Sequence, residues 1–418
     1  MESVFTLKNG LRVIFKRVEG LMSVSVGVLV KAGSTDETAE ENGISHYIEH
    51  MTFKGTEKRS ALEISGAIDG IGAQINAFTT KEFTCYYTRS TAERVEDCFD
   101  ILSDMLLHST YKEEEQAKEK GVILEEIHMY EDTPDDLVVD LTAEALYGKT
   151  GAGRTILGPE ENIRRFTKTD IDAYRKKYYV PENSVLSVAG NLAEATVRAL
   201  AEKYFEPYEG GTPHNVEKQG TYLKNFVQKS KKIEQTHFCF AFPAFPFADE
   251  RNDALSLGSA VFGGSMSSRL FQKIREELGL CYSVYSFQNT YEDSGNLCVY
   301  AGLNPDKAAL AAEKIAEETE RFRTGGMTEA EFARAKEQFK GSFVLSQDNT
   351  SSLMLLFGKY LLTQNKVFDM QGKLDKMNAL KMTDVNEAIK EVFRIENAAC
   401  GAVFAKGKEA DALAPFHK

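Results

Sequence analysis

Apolar and polar residues alternate over MESVFTLKNGLRVIFKR on either side of Asn9-Gly10, the pattern of two strands joined by a tight turn. A further strand-like run covers Met22 to Val30. The period then lengthens to that of helices over Glu40 to Phe53 and Ala61 to Asp69, returns to two strands at Gln74 to Phe78 and Phe83 to Arg89, and lengthens again. That last stretch predicts an amphipathic helix, Ala92 to Leu107, and a highly charged one, Lys112 to Tyr130. At Glu206 to Gly220 (EPYEGGTPHNVEKQG) the pattern dissolves into Gly, Pro, Asn and charge, the composition of a linker. Beyond it the same order returns: strand Thr236 to Phe242, helices Asp249 to Phe262 and Ser268 to Leu278, strands Tyr282 to Asn289 and Gly295 to Ala301, then helices Asp306 to Thr324 and Thr328 to Phe343. Matching elements are offset by about half the chain, as a duplicated unit requires. The expectation is an α+β fold of two similar halves related by internal duplication, each a mainly antiparallel sheet covered by helices. The N-terminal domain is placed at 1–205, the linker at 206–220 and the C-terminal domain at 221–418.

Composition narrows the partners. Of 418 residues, 63 are Asp or Glu and 50 are Lys or Arg, a formal net charge of −13. Such a surface repels phosphate backbones, so nucleic acid is not an expected partner. No apolar run reaches the ~20 residues that span a bilayer, and the N-terminus lacks the basic, apolar and small-residue segments of a secretory signal. No membrane insertion and a bacterial cytoplasmic location are expected. The 6 cysteines are dispersed, without a C-x-x-C pair, in apolar stretches such as Phe238-Cys239-Phe240, which predicts buried, reduced thiols. Neither the Gly-Lys-Ser/Thr ending of a phosphate loop nor a G-x-S-x-G nucleophile elbow is present.

The chemistry concentrates in His46-Tyr47-Ile48-Glu49-His50, an H-x-x-E-H on a helical stretch. Residues four apart stand one turn above each other, so His46 and His50 can direct imidazoles at one ion with Glu49 beside them. The bland alternative is a polar helix face with two surface histidines. Flanking Ile44, Ile48, Met51 and Phe53 argue that this helix packs into a domain. Catalytic zinc sites take three protein ligands from His and carboxylate and keep a fourth position for water, so a third ligand must come from elsewhere. The Lys112 to Tyr130 helix offers Glu125 and Glu126 within the apolar patch Val122-Ile123-Leu124…Ile127. Glu126 has mostly apolar neighbours three and four residues away and Glu125 is the more easily solvated, a weak preference for Glu126. Glu119, two turns before Glu126 on the same face, is placed to hydrogen-bond ligands or assist proton transfer.

These residues resemble the zinc peptidases of the inverted H-x-x-E-H type, the family of pitrilysin, insulin-degrading enzyme and the mitochondrial processing peptidase. The similarity is closest to short-chain bacterial members, and it runs through HYIEHMTFKGT, INAFTTKEFTCYY, EKGVILEEI, GRTILGPEENI and GGSMSSRLFQKIREELGLCYSVYSF. The resemblance implies that His46, His50 and Glu126 bind one Zn2+ per chain, that Glu49 is the general base and that Glu119 is an auxiliary acid. It implies substrate contacts from Arg275 and Tyr282, an edge strand at Asn76 and Ala77 along which substrate lies, and Phe53 in a side-chain pocket. The C-terminal half carries no H-x-x-E-H, and aligning Glu119 with Glu337 puts Val344 opposite Glu126, so this half is expected to hold substrate without a metal.

The implied function is a zinc-dependent endopeptidase that takes peptides or unfolded segments as an added edge strand. The polar residues of Asn76 to Thr80 suit that use. A non-catalytic peptide-binding or scaffold subunit of the same fold is the alternative. Chains of this length supply one half of the family's clamshell, which implies a homodimer, or a heterodimer with a related chain.

Overall fold

The computed structural model describes residues 2–210 and 221–416. The N-terminal alternation closes into β1 (Glu2–Thr6) and β2 (Arg12–Arg17), paired antiparallel. Gly10 between them takes φ 92°, open to glycine because it lacks a Cβ. With β3 (Ser23–Val30), β4 (Gln74–Thr79), β5 (Thr84–Thr91) and β6 (Ser184–Gly190) they form one sheet in the order β1-β2-β6-β3-β5-β4. Only β2 and β6 run parallel. A second sheet joins β7 (Phe226–Lys231), β8 (Thr236–Ala244), β9 (Cys281–Thr290), β10 (Gly295–Leu303) and β11 (Ala399–Ala405) in the order β7-β11-β8-β10-β9, with β7 and β11 parallel. Without β1 the first order repeats in the second strand for strand. The α+β class and the duplication read from the pattern are both present.

Five helices of the N-terminal half are α1 (Ile44–Thr52), α2 (Ala61–Gly70), α3 (Val95–His108), α4 (Glu113–Glu131) and α5 (Pro134–Tyr147). The stretch expected to begin α1 at Glu40 is turn as far as Gly43, whose φ of 98° breaks the helix before Ile44. In the second half, the helix expected over Ser268 to Leu278 is wound as a π-helix over Phe271–Glu277.

The domain boundary needs correction. Residues 206–210 of the expected linker belong to the first unit, with Tyr208 buried in its core, and 211–220 lie outside the described residues. The two compact units exchange segments: His128–Arg154, with α5, belongs to the second, and Phe343–Asp369, with the helix Thr350–Gln364, to the first. The cause is that the central strands have two faces to bury. On β3, Val24, Val26, Val28 and Val30 join one core, while Ser25, Gly27 and Leu29 meet the helix Thr350–Gln364. On β11, Cys400, Ala402 and Phe404 face one core, and Ala399 and Val403 join Leu137, Val138, Leu141 and Ala145 of α5 in another.

Close approach fixes the residue types there. A Cβ at Gly401 would lie 2.4 Å from the Thr142 backbone nitrogen and 2.7 Å from the Val138 carbonyl oxygen, and α5 cannot yield backbone atoms without moving off the sheet. Gly401→Ala is therefore expected to destabilise the protein by about 1–3 kcal/mol, the usual range for overpacking. A chemical-denaturation midpoint equal to that of the parent would show that α5 docks with slack.

Candidate metal centre

Helix α1 is built to be held rigidly. Its inner residues Ile44, Tyr47, Ile48 and Met51 are buried in the core of the first unit. Its first turn is capped by the buried Glu37 carboxylate, which accepts from the backbone N–H of Gly43 (2.8 Å) and Ser45 (2.9 Å) and from the Asn42 side chain (2.9 Å). Ser45 Oγ lies 2.9 Å from the Tyr174 hydroxyl. Glu37 stands several residues before the motif and was not singled out from the sequence; only the spacing of an acid ahead of a helix start signals it.

On the other face, His46 Nε2 and His50 Nε2 lie 3.7 and 3.4 Å from Glu126 Oε2, and the two imidazole centroids are 4.5 Å apart. One donor atom from each of these three residues falls within 4.8 Å of the other two. Around a tetrahedral zinc with bonds of ~2.0–2.2 Å, ligand atoms stand about 3.3 Å apart, so the set fits that ion with small adjustment. Glu125 is exposed and Glu126 half-buried, as the weak preference had it.

Around the three donors, His50 and Glu119 are paired, while His46 Nδ1 is buried without a partner. The His50 Nδ1–H donates to Glu119 Oε1 at 2.8 Å, which leaves Nε2 for an ion, and Lys54 Nζ lies 2.6 Å from Glu119 Oε2. Glu119 is thus fixed between an imidazole and an ammonium. Burial first, and then the neighbouring His50, hold the His46 imidazole well below its ordinary range. For His50, burial acts in the same sense but is outweighed by its hydrogen bonds to Glu119 and Glu126, and its pKa rises. A metal would need both rings neutral at Nε2, so binding releases a proton from His50. Glu49 points to the same region and accepts from Thr79 Oγ1 on β4 at 2.5 Å. Burial raises its pKa against the opposing Thr79 hydrogen bond and the His50 charge.

Asn76 and Ala77 lie on β4, which pairs with β5 on one side and ends the sheet on the other. The Ala77 N–H donates to Asn76 Oδ1 at 2.8 Å. Phe53 follows α1, half-buried against the core. Arg275 and Tyr282 belong to the second unit, where the guanidinium lies 5.4 Å from the centroid of the Tyr282 ring and Tyr282 is 74% exposed. Val344 is exposed, and among the described residues the second half contributes no comparable ligand cluster. All six cysteines are free, five of them buried and Cys281 half-buried. Thr79 and Lys54 were missed from sequence: each acts through one contact to a carboxylate far along the chain, with no local pattern to mark it.

Comparison with known proteins gives two adjoining family matches, "Insulinase (Peptidase family M16)" over residues 12–160 and "Peptidase M16 inactive domain" over 165–339. An uncharacterized zinc protease of Bacillus subtilis, YmxG, is 42% identical over 93% of this chain and 95% of its own. Uncharacterized zinc proteases of Streptomyces coelicolor and Rickettsia felis are 36% and 35% identical over 93% and 94% of this chain and 86% and 95% of theirs. Among solved structures, a protease from Helicobacter pylori has a TM-score of 0.90 at 24% identity, covering 97% of this chain and 99% of that one. A Pseudomonas fluorescens structure titled as an M16 inactive domain has a TM-score of 0.91 at 18% identity, covering 98% and 100%. These two show a shared fold.

Chelator competition tests the ligand set. Glu126→Ala is expected to abolish stoichiometric zinc binding, and Glu119→Gln, which disturbs the partner of His50, to weaken it about 10–100-fold. Parental affinity in Glu126→Ala would remove that residue from the set.

Proposed function

The chain belongs to the M16 peptidase family, and from that premise we propose that it is a zinc-dependent endopeptidase acting on peptides or unfolded segments. The observation that carries the proposal is the convergence of His46, His50 and Glu126 on one small volume with the Glu49 carboxylate at its edge.

His46, His50 and Glu126 would hold the ion. Zinc, when bound, supplies Lewis acidity that brings the pKa of a water toward about 7 and offsets charge developing on the peptide carbonyl. Glu49 takes a proton from the attacking water and delivers it to the leaving amine. Its raised pKa, caused by burial, makes it a stronger base toward the attacking water than an ordinary carboxylate. Thr79 fixes the rotamer of that base from the strand along which substrate is proposed to lie. Glu119 acts by orienting His50, a positioning role, with Lys54 holding its second oxygen.

An extended peptide adds to the open side of β4, where main-chain hydrogen bonds give affinity with little sequence preference. Asn76 Oδ1 already occupies the Ala77 N–H, so an incoming carbonyl replaces an existing acceptor and the edge does not carry a bare donor when empty. Arg275 and Tyr282 are assigned to substrate on the family resemblance, and Phe53 to the pocket of a substrate side chain. The description "inactive" attached to residues 165–339 agrees with a second half that lacks the ligand set. One zinc per chain and assembly into a homodimer, or a heterodimer with a related chain, complete the proposal.

Two substitutions test it. Glu49→Gln is expected to keep its zinc and lose about 10²–10⁴-fold in cleavage of quenched peptides, the range for a general acid–base group. Zinc-loaded parent and variant that both leave every peptide intact would instead favour a non-catalytic, peptide-binding subunit. Thr79→Val is expected to lower kcat about tenfold or more with KM little changed, and Thr79→Ser to restore it, since a hydrogen bond to a charged group contributes ~1.5–3 kcal/mol. Equal kcat in all three proteins would remove Thr79 from the mechanism.

A further inference from the structure

Away from the metal centre, the first unit holds a partly buried cation, Arg175, on the helix Lys168–Tyr178. Its Nη2 donates to the Leu106 carbonyl at 2.5 Å, and its guanidinium carbon lies 4.7 Å from the ring centroid of Tyr179 and 5.4 Å from that of Tyr111. Nη1 is buried and has no acceptor. The ionisable groups bearing on it are the phenols of Tyr111, Tyr179, Tyr208 and Tyr86, and no carboxylate among the described residues pairs with it. Burial holds the phenols of Tyr86, Tyr179 and Tyr208 protonated, with Tyr208 pushed up to about 12.

Tyr111 repeats the anomaly. Its hydroxyl is also buried without a partner, and its backbone sits at φ 50°, a left-handed conformation that is uncommon for an aromatic residue. Two unanswered donors on side chains in contact call for an acceptor, and a guanidinium calls for an anionic one.

Arg175 also lines a cavity of about 1080 Å³, with Tyr179, Tyr208, His108, Lys176 and Lys8 among its walls. Glu206 and Glu209 contribute negative charge there, but Glu206 lies 3.4 Å from Lys8. That leaves Arg175 and Lys176 against Glu209, a cationic balance within a chain whose net charge is −13.

We infer that this cavity is a binding site for a small oxyanion, a carboxylate or a phosphate group, anchored by Arg175 with Tyr111 behind it and Lys176 at the rim. The anion accepts from Arg175 Nη1 after a small turn of the guanidinium toward the cavity, and Tyr179 and Tyr208 supply a flat wall for any organic part attached to it. The site is independent of the zinc ligands and does not depend on the peptidase proposal.

Thermal unfolding of the full, zinc-loaded chain tests this with sodium phosphate and sodium acetate titrated separately at constant ionic strength, and sodium chloride as the control. A saturable rise in Tm is expected with at least one of the two oxyanions, and which one responds identifies the headgroup. In Lys176→Ala the midpoint is expected to weaken about tenfold, and in Arg175→Met the response is expected to vanish. Should Arg175→Met not fold, the double variant His108→Ala, Lys176→Ala serves in its place, with the response expected to be lost. No saturable response from the parent, or an undiminished response in the rim variants, would overturn the site and leave Arg175 as a packing residue.

Discussion

Two imidazoles and two carboxylates share a few ångströms of space on α1 and α4, and α1 has its opposite face sealed in the core. Like charges and desolvation both oppose such a cluster, so each member needs a partner of opposite character. The pairing is ordered. Glu119 is held between His50 and Lys54, Glu49 is held by Thr79, and Glu37 satisfies the start of α1 from beneath. His46 Nδ1 is buried without a partner, and His46 Nε2, His50 Nε2 and Glu126 Oε2 converge as the set a divalent ion would take. The surrounding structure reads as the apparatus that keeps those three atoms together.

Keeping them together requires rigidity in the sheet as well as in the helices. β4 carries Thr79 and pairs only with β5, while β5 is in turn secured by β3, buried from Val24 to Val30. The far face of β3 is covered by the helix Thr350–Gln364, so the stability of the N-terminal sheet depends on a segment supplied late in the chain. Gly27 and Gly358 allow that contact: a Cβ on the first would lie 2.4 Å from Met354 Sδ, and one on the second 2.7 Å from Leu29 Cδ1. The second sheet takes α5 by the same device at Gly401. Duplication with exchanged helices therefore makes each unit's fold dependent on both halves of the sequence.

Much of this was legible in the sequence where the determinants are local. His46, Glu49 and His50 fall on one helical face by spacing alone, and strand and helix periods located the elements from β1 to α4 and from β8 to the helix Glu329–Leu345, but not β6, β7, β11, α5 or the helix Thr350–Gln364. Glu126 was harder, because Glu125 shares its neighbourhood and Val122, read as part of an apolar face, is 52% exposed. Thr79 and Lys54 escaped notice because each matters through one long-range contact, and a Thr or a Lys carries no periodic signature; Glu37 acts locally, on Asn42, Gly43 and Ser45, from an irregular stretch with no period to mark it. The exchange of α5 and Thr350–Gln364 escaped for a different reason. Amphipathic spacing states that a helix has an apolar face and not which sheet receives it; the small residues Ser25, Gly27 and Gly401 on otherwise bulky strands were the available hint. The stretch from Glu131 to Asp136 ends α4 and begins α5, with Glu131 paired to Lys229 and Asp135 and Asp136 in the first helical turn.

The central claim is that His46, His50 and Glu126 together hold zinc, and the coordination shell of the loaded protein tests it most directly. A zinc K-edge X-ray absorption spectrum is predicted to show only nitrogen and oxygen scatterers at ~2.0–2.2 Å, with the outer-shell pattern of two imidazoles. That pattern should fall to one imidazole in His46→Ala. Sulfur scatterers at ~2.3 Å, or a spectrum unchanged by His46→Ala, would place the ion elsewhere in the chain and contradict the account.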